Sequence, residues 1–209
     1  MQIRVEDDAP PIVRMLATTL RRAAADPKLA ATMTKMHGVA ALKSTNDAQA
    51  VTLRFARGTV DLERGVAPDA TVVIEADLAT MNDPTPPKPK ISGAARHPQF
   101  ALALGKVLDP PKGTWQDAAR EFWVFASPHP GMPQALEIVN TETGERLLLG
   151  GGEPRCELHG NSHWLTVVLT GNSVFGEDLL AGKLAFVGTL QHVAVLTGRS
   201  IAYALGATS

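Results

Sequence analysis

Apolar positions recur every three to four residues near the start of the chain. Leu16, Leu20, Ala23 and Ala24 fall on one face of a helix predicted over Ile12 to Ala25, and a second short helix is predicted over Lys28 to Met36. Asp26-Pro27 separates the two, because an aspartate followed by proline stops one helix and can open another. The period then changes. Ala50–Ala56, Thr59–Glu63 and Thr71–Glu75 read as strands, and Arg57-Gly58 supplies turn chemistry between the first two. A short strand ending at Gly93 and a helix from about His97 follow.

The second half offers the same series. A helix is predicted over Thr114 to Ala126, with Leu136–Val139, Arg146–Leu149, Arg155–His159 and Leu165–Leu169 as candidate strands. Asn140-Thr141-Glu142-Thr143-Gly144 is a hairpin turn by composition. A short strand ending at Gly188 and a helix from about His192 complete it. The halves also align without a gap at an offset of 95: Thr71-Val72-Val73-Ile74 meets Thr166-Val167-Val168-Leu169, Gly65 meets Gly160, Gly93 meets Gly188 and His97 meets His192. Two similar units are therefore expected, residues 1–110 and 111–209, with the junction at Asp109-Pro110-Pro111-Lys112-Gly113, where paired prolines stop the preceding helix. Helices segregated from a mainly antiparallel sheet make each unit α+β. Pro84-Thr85-Pro86-Pro87-Lys88-Pro89 is too rich in proline for a helix and reads as an extended surface segment.

Composition narrows the function. The chain has 209 residues, 44% of them apolar, with 20 basic against 21 acidic side chains and a net charge of −1. No Lys/Arg block is dense enough to neutralise a run of phosphates, which argues against nucleic acid as a partner. No apolar stretch approaches the roughly 20 residues of a spanning helix, and Met-Gln-Ile-Arg-Val-Glu-Asp-Asp lacks the order of a secretory signal. The one cysteine, Cys156, has no intrachain partner and suits a reducing compartment, so the expected location is cytoplasmic. The wealth of alanine, glycine, proline and arginine is that of a high-GC bacterial genome.

Asn172 through Leu190, which includes Phe175-Gly176-Glu177-Asp178-Leu179-Leu180-Ala181-Gly182-Lys183, resembles the C-terminal part of the sterol carrier protein type 2 family. In that family an apolar helix ends at Gly-Lys, a strand follows, and a glycine precedes the closing helix. Phe55 through Met81, with Gly65, Ala70, Val72, Ile74 and Asp77, is similar to the family's run of three strands. The resemblance implies two tandem sterol-carrier-like units, each a curved, mainly antiparallel sheet with helices on one face, packed as an internal pseudo-dimer. It also implies a tunnel between sheet and helices for a fatty acyl chain, sterol or isoprenoid, with no catalytic residues and no cofactor. The first half lacks the Gly-Lys signature, so the pocket is expected in the second half. Phe175, Leu179, Leu180, Leu184, Phe186, Leu190, Val193 and Leu196 have the apolar character such a site needs. The same residues also suit ordinary core packing.

Other chemistry is weaker. Cys156, His159 and His163 have a spacing that suggests metal ligation, but in a strand Cys156 and His159 point to opposite faces. His97 and His192 could each serve as a general base on a hydrophobic substrate, yet neither has an acid or nucleophile partner by spacing. Gly150-Gly151-Gly152 lacks the following Lys-Ser/Thr of a phosphate loop. The expected function is non-catalytic binding or transfer of a lipid-like apolar ligand. The alternatives are an interaction or dimerisation module with a protein partner or second copy, and an enzyme using His97 or His192.

Overall fold

The fold is that of a computed structural model, which describes residues 1–207 other than Lys112 and Pro154. Lys112, within the predicted junction, lies outside the described residues. The chain divides into two compact units, Met1–Pro111 and Lys112–Ser209.

The first unit begins with β1 (Gln2–Val5), α1 (Pro11–Ala25) and α2 (Pro27–Lys35). Proline at the first position of each helix has no N–H to leave unsatisfied, and the Asp26 Oδ1 accepts from Lys28 N–H and Leu29 N–H at 2.8 and 3.0 Å to cap α2. α1 buries Val13, Leu16, Ala17, Leu20 and Ala23, the face its periodicity predicts. Then come β2 (Gly38–Ser44), β3 (Ala50–Ala56), β4 (Thr59–Arg64), β5 (Val72–Ala76), β6 (Lys90–Ser92) and α3 (Pro98–Leu108). The sheet order is β1-β4-β3-β2-β5-β6. Its β2–β5 and β1–β4 pairs are parallel and the others antiparallel. β1 and β2 carry no strand signal strong enough to read from sequence. Gly-Val-Ala-Ala-Leu-Lys-Ser is poor in β-branched residues, and pairing on both sides makes it the strand that buries Ala40, Ala41 and Leu42.

The second unit runs α4 (Trp115–Ala126), β7 (Ala135–Asn140), β8 (Arg146–Gly150), β9 (Arg155–Gly160), α5 (Ser162–Leu169), α6 (Phe175–Leu180), β10 (Leu184–Val187) and α7 (Leu190–Ala204). Its sheet order is β10-β9-β7-β8, with β7–β9 parallel and the other pairs antiparallel. All six residues of β7 are buried. One of them is Glu137, whose carboxylate is held by Arg155 and by Arg146 at 3.3 Å. These guanidiniums, Arg155 first, keep the carboxyl below its ordinary pKa against the opposing effect of desolvation.

One predicted strand is a helix. Leu165–Leu169 forms α5, because Asn161 caps it by accepting from Trp164 N–H at 2.8 Å and the apolar run finds the core at helical spacing. The gapless alignment therefore fails where it looked strongest: Thr71–Ile74 leads into strand β5, while Thr166–Leu169 is helical. Strand registers give a different correspondence. The order β3-β2-β5-β6 in the first unit matches β8-β7-β9-β10 in the second, with the same parallel and antiparallel pairs. Ala40 beside Val72 then matches Leu136 beside Cys156, and Ile74 beside Ile91 matches Leu158 beside Phe186. Among the described residues the second unit has no counterpart of β1 or β4, and it carries α5 and α6 where the first has the proline-rich connection. The missing β4 and the added α5 and α6 nearly cancel in length, which is why β2 and β7 stand 96 residues apart and β6 and β10 stand 95 apart.

Candidate functional site

The C-terminal segment places a short helix beside a long one. Within α6, Phe175 turns into the core and meets Phe186 edge to face at 5.6 Å. The Phe175 N–H donates to Ser200 Oγ at 3.1 Å, which ties the start of α6 to α7. A Cβ at Gly176 would stand 2.9 Å from Thr197 Oγ1, so the absence of a side chain there permits the close approach. Gly182-Lys183 ends the helical segment, and Lys183 Nζ lies 3.9 Å over the Trp164 ring and 3.7 Å from Asp178 Oδ1. The segment thus has the order the family resemblance implies: helix, Gly-Lys, strand, Gly188 and closing helix.

Between α6 and α7 runs an open groove of about 420 Å³. Leu179, Leu180, Val193, Thr197 and Ile201 line it, with Glu177 as its charged member. Leu180 is 92% exposed, and a leucine left in water costs roughly 1.5–3 kcal/mol that a ligand or partner can recover.

No protein-family model and no curated protein matches the chain. Solved structures do. The ubiquinone synthesis protein UbiJ-SCP2 is 22% identical over 48% of this chain and 91% of its own, with a TM-score of 0.32. A crystal structure of sterol carrier protein 2 is 21% identical over 45% of this chain and 90% of its own, at 0.34. A Thermus thermophilus protein offered as a candidate sterol carrier is 22% identical over 49% and 91%, at 0.32.

The eight residues expected at a ligand site fall into three settings. Leu179, Leu180 and Val193 line the groove. Phe175, Leu184 and Leu196 are buried in the core, and Phe186 packs partly buried against it. Leu190 is 88% exposed at the start of α7. Sequence reasoning missed Thr197 and Ile201. The signal was present, since Leu190, Val193, Thr197 and Ile201 form one stripe along a helix, but a threonine in its middle hid it.

The two candidate histidines differ. His97 is an exposed N-cap residue of α3 whose side chain makes no capping bond. His192 is buried in the first turn of α7, where its N–H donates to Thr189 Oγ1 at 3.2 Å and its Nδ1 lies 3.1 Å from Cys156 Sγ. Sequence spacing did not bring Cys156 and His192 together, because they stand 36 residues apart, on β9 and in the first turn of α7. Burial pushes the Cys156 thiol up, so the pair holds a neutral thiol, whereas a nucleophilic cysteine needs its pKa lowered. Cys156 is 1% exposed, while His159, on the opposite face of β9, meets Glu157 Oε2 at 2.9 Å. Among the described residues no group of three or more His, Cys, Asp or Glu could hold a metal ion, and no helix is long and apolar enough to cross a membrane. The native protein should accordingly react with a thiol reagent such as Ellman's more than about tenfold slower than the urea-unfolded chain. Equal rates would show that Cys156 is accessible.

Proposed function

We propose that the chain binds a lipid-like apolar ligand, a fatty acyl chain, sterol or isoprenoid, without covalent chemistry, and that its second unit holds that ligand between α6 and α7. The observation that carries this reading is the open groove lined by Leu179, Leu180, Val193 and Ile201. Affinity comes from apolar area removed from water, at roughly 25 cal/mol per Å², less the freedom lost on binding. The matching strand order of the two units supports descent from one sterol-carrier-like unit used twice. A net charge of −1 with no dense Lys/Arg block supports a partner other than nucleic acid, and the lone thiol of Cys156 supports a cytoplasmic setting.

A second reading has its own support. The groove is open, and Leu180 and Leu190 stand in solvent, as a contact surface for a protein partner or a second copy of the chain would. Native mass spectrometry of the purified chain, followed by organic extraction, tests the first reading. Co-purifying acyl, sterol or isoprenoid mass is expected. A clean apo mass, with no uptake of an added sterol, contradicts it.

A further inference from the structure

A second groove, of about 610 Å³, lies in the first unit between α2 and α3, and its chemistry is different. Lys28 and Lys35 both line it, and their seven-residue separation puts them two turns apart on one helix, about 10 Å along the axis. His37 and Gln99 add two more polar groups. Thr32 is a fifth polar lining residue, its hydroxyl donating to the Lys28 carbonyl at 2.9 Å, and the other walls are apolar: Met36 is buried, Ala103 is half-buried, and Phe100 packs edge to face on Phe55 at 5.8 Å. No carboxylate lines the groove. The acid closest to it in sequence, Asp26, is engaged as the cap of α2. The first turn of α3, which carries Gln99 and Phe100, has no side-chain cap, so the positive end of that helix dipole borders the same space.

The geometry points to a separate binding site in the first unit for a single-chain amphiphile with an anionic head, a carboxylate or a phosphate. The head sits between Lys28 and Lys35, whose ammonium groups are exposed and act as point charges. The chain lies on Met36, Phe100 and Ala103. Two features make this site independent of the groove between α6 and α7. Among the described residues the second unit has a single lead helix, α4, where the first has the pair α1 and α2, so the α2–α3 space is not repeated there. The α6–α7 groove has no basic lining residue, and its one charged member, Glu177, repels an anion.

The test uses the full ¹⁵N-labelled chain with dodecanoate, dodecyl phosphate and dodecanol, each below its micelle concentration. Either anion should shift the amides of Lys28, Thr32, Lys35 and Gln99 at saturation. Lys28→Gln combined with Lys35→Gln should weaken the anions by about tenfold or more and leave dodecanol unchanged. Both lysines are exposed, so this variant should fold, and its unperturbed amides elsewhere check that it does. The proposal is overturned if neither anion shifts the α2–α3 amides. It is equally overturned if the double variant binds the anions as the native chain does. Shifts confined to Leu179, Val193 and Thr197 would likewise overturn it while leaving the lipid reading of the second unit intact.

Discussion

Replacing Gly93 with alanine is expected to destabilise the first unit by about 3 kcal/mol or more, a large share of the roughly 5–15 kcal/mol that holds a domain of this size together. Gly93 follows β6 with φ at +80°, a conformation that alone costs an L-residue about 1–2 kcal/mol. The larger cost is steric. A Cβ at this position would run into the carbonyl oxygen of Thr71, immediately before β5, and a backbone atom cannot swing away as a side chain can. The turn has little room to relax, because the Gly93 carbonyl accepts from the N–H groups of Arg96 and His97, both at 3.1 Å, and Ser92 is paired with Val73. Gly188, its counterpart in sequence, is under a milder constraint. A Cβ there would meet the Phe186 ring at 2.6 Å and Cys156 Sγ at 2.9 Å, both side-chain atoms, and its φ is not positive. Gly188→Ala should therefore cost about 1–2 kcal/mol. Urea unfolding of the full chain, read by hydrogen exchange on β5 and β6 for one variant and β9 and β10 for the other, gives both values. Equal effects would show that the Thr71 carbonyl imposes nothing special.

The second large effect concerns binding. Leu180→Asp should weaken an apolar ligand by about tenfold to a hundredfold, since it replaces roughly 1.5–3 kcal/mol of recoverable apolar surface with a carboxylate. Leu180 is almost wholly exposed, so the change should leave folding within about 0.5 kcal/mol and the binding loss can be read directly. Leu190 is the comparison. It is 88% exposed, on the α7 stripe that includes Val193, Thr197 and Ile201, but does not line the groove. Leu190→Asp should then spare ligand binding. If a protein partner or second copy covers this face instead, both substitutions should weaken that association, and light scattering would report it.

How far the sequence revealed this molecule depends on the scale of the signal. α1, α2 and α4 were legible because each carries its own amphipathic period, with Pro or Thr at the start. β3, β4 and β9 were legible from alternation. α5 was not, since Thr166, Val167 and Val168 have strand preferences that lost to a cap at Asn161 and a place in the core. β2 was hidden for the opposite reason: its alanines have little strand preference and become a strand only through two long-range pairings. The candidate site was half legible. Apolar character pointed to Leu179, Leu180 and Val193, which line the groove, yet it could not separate them from Phe175, Leu184 and Leu196, because exposure is decided by packing among elements far apart in sequence. The meeting of Cys156 with His192 and the basic groove of the first unit belong to the same class, being tertiary neighbourhoods that no local motif records.

The central claim is that an apolar ligand sits between α6 and α7, and titration with a neutral fluorescent sterol tests it most directly, because a ligand without charge gains nothing from Lys28 and Lys35. The native chain should give a saturable, one-site isotherm that Leu180→Asp moves to about tenfold or higher concentration and Leu190→Asp leaves in place. An isotherm that Leu180→Asp does not move, or no saturable binding to the native chain, would contradict the account.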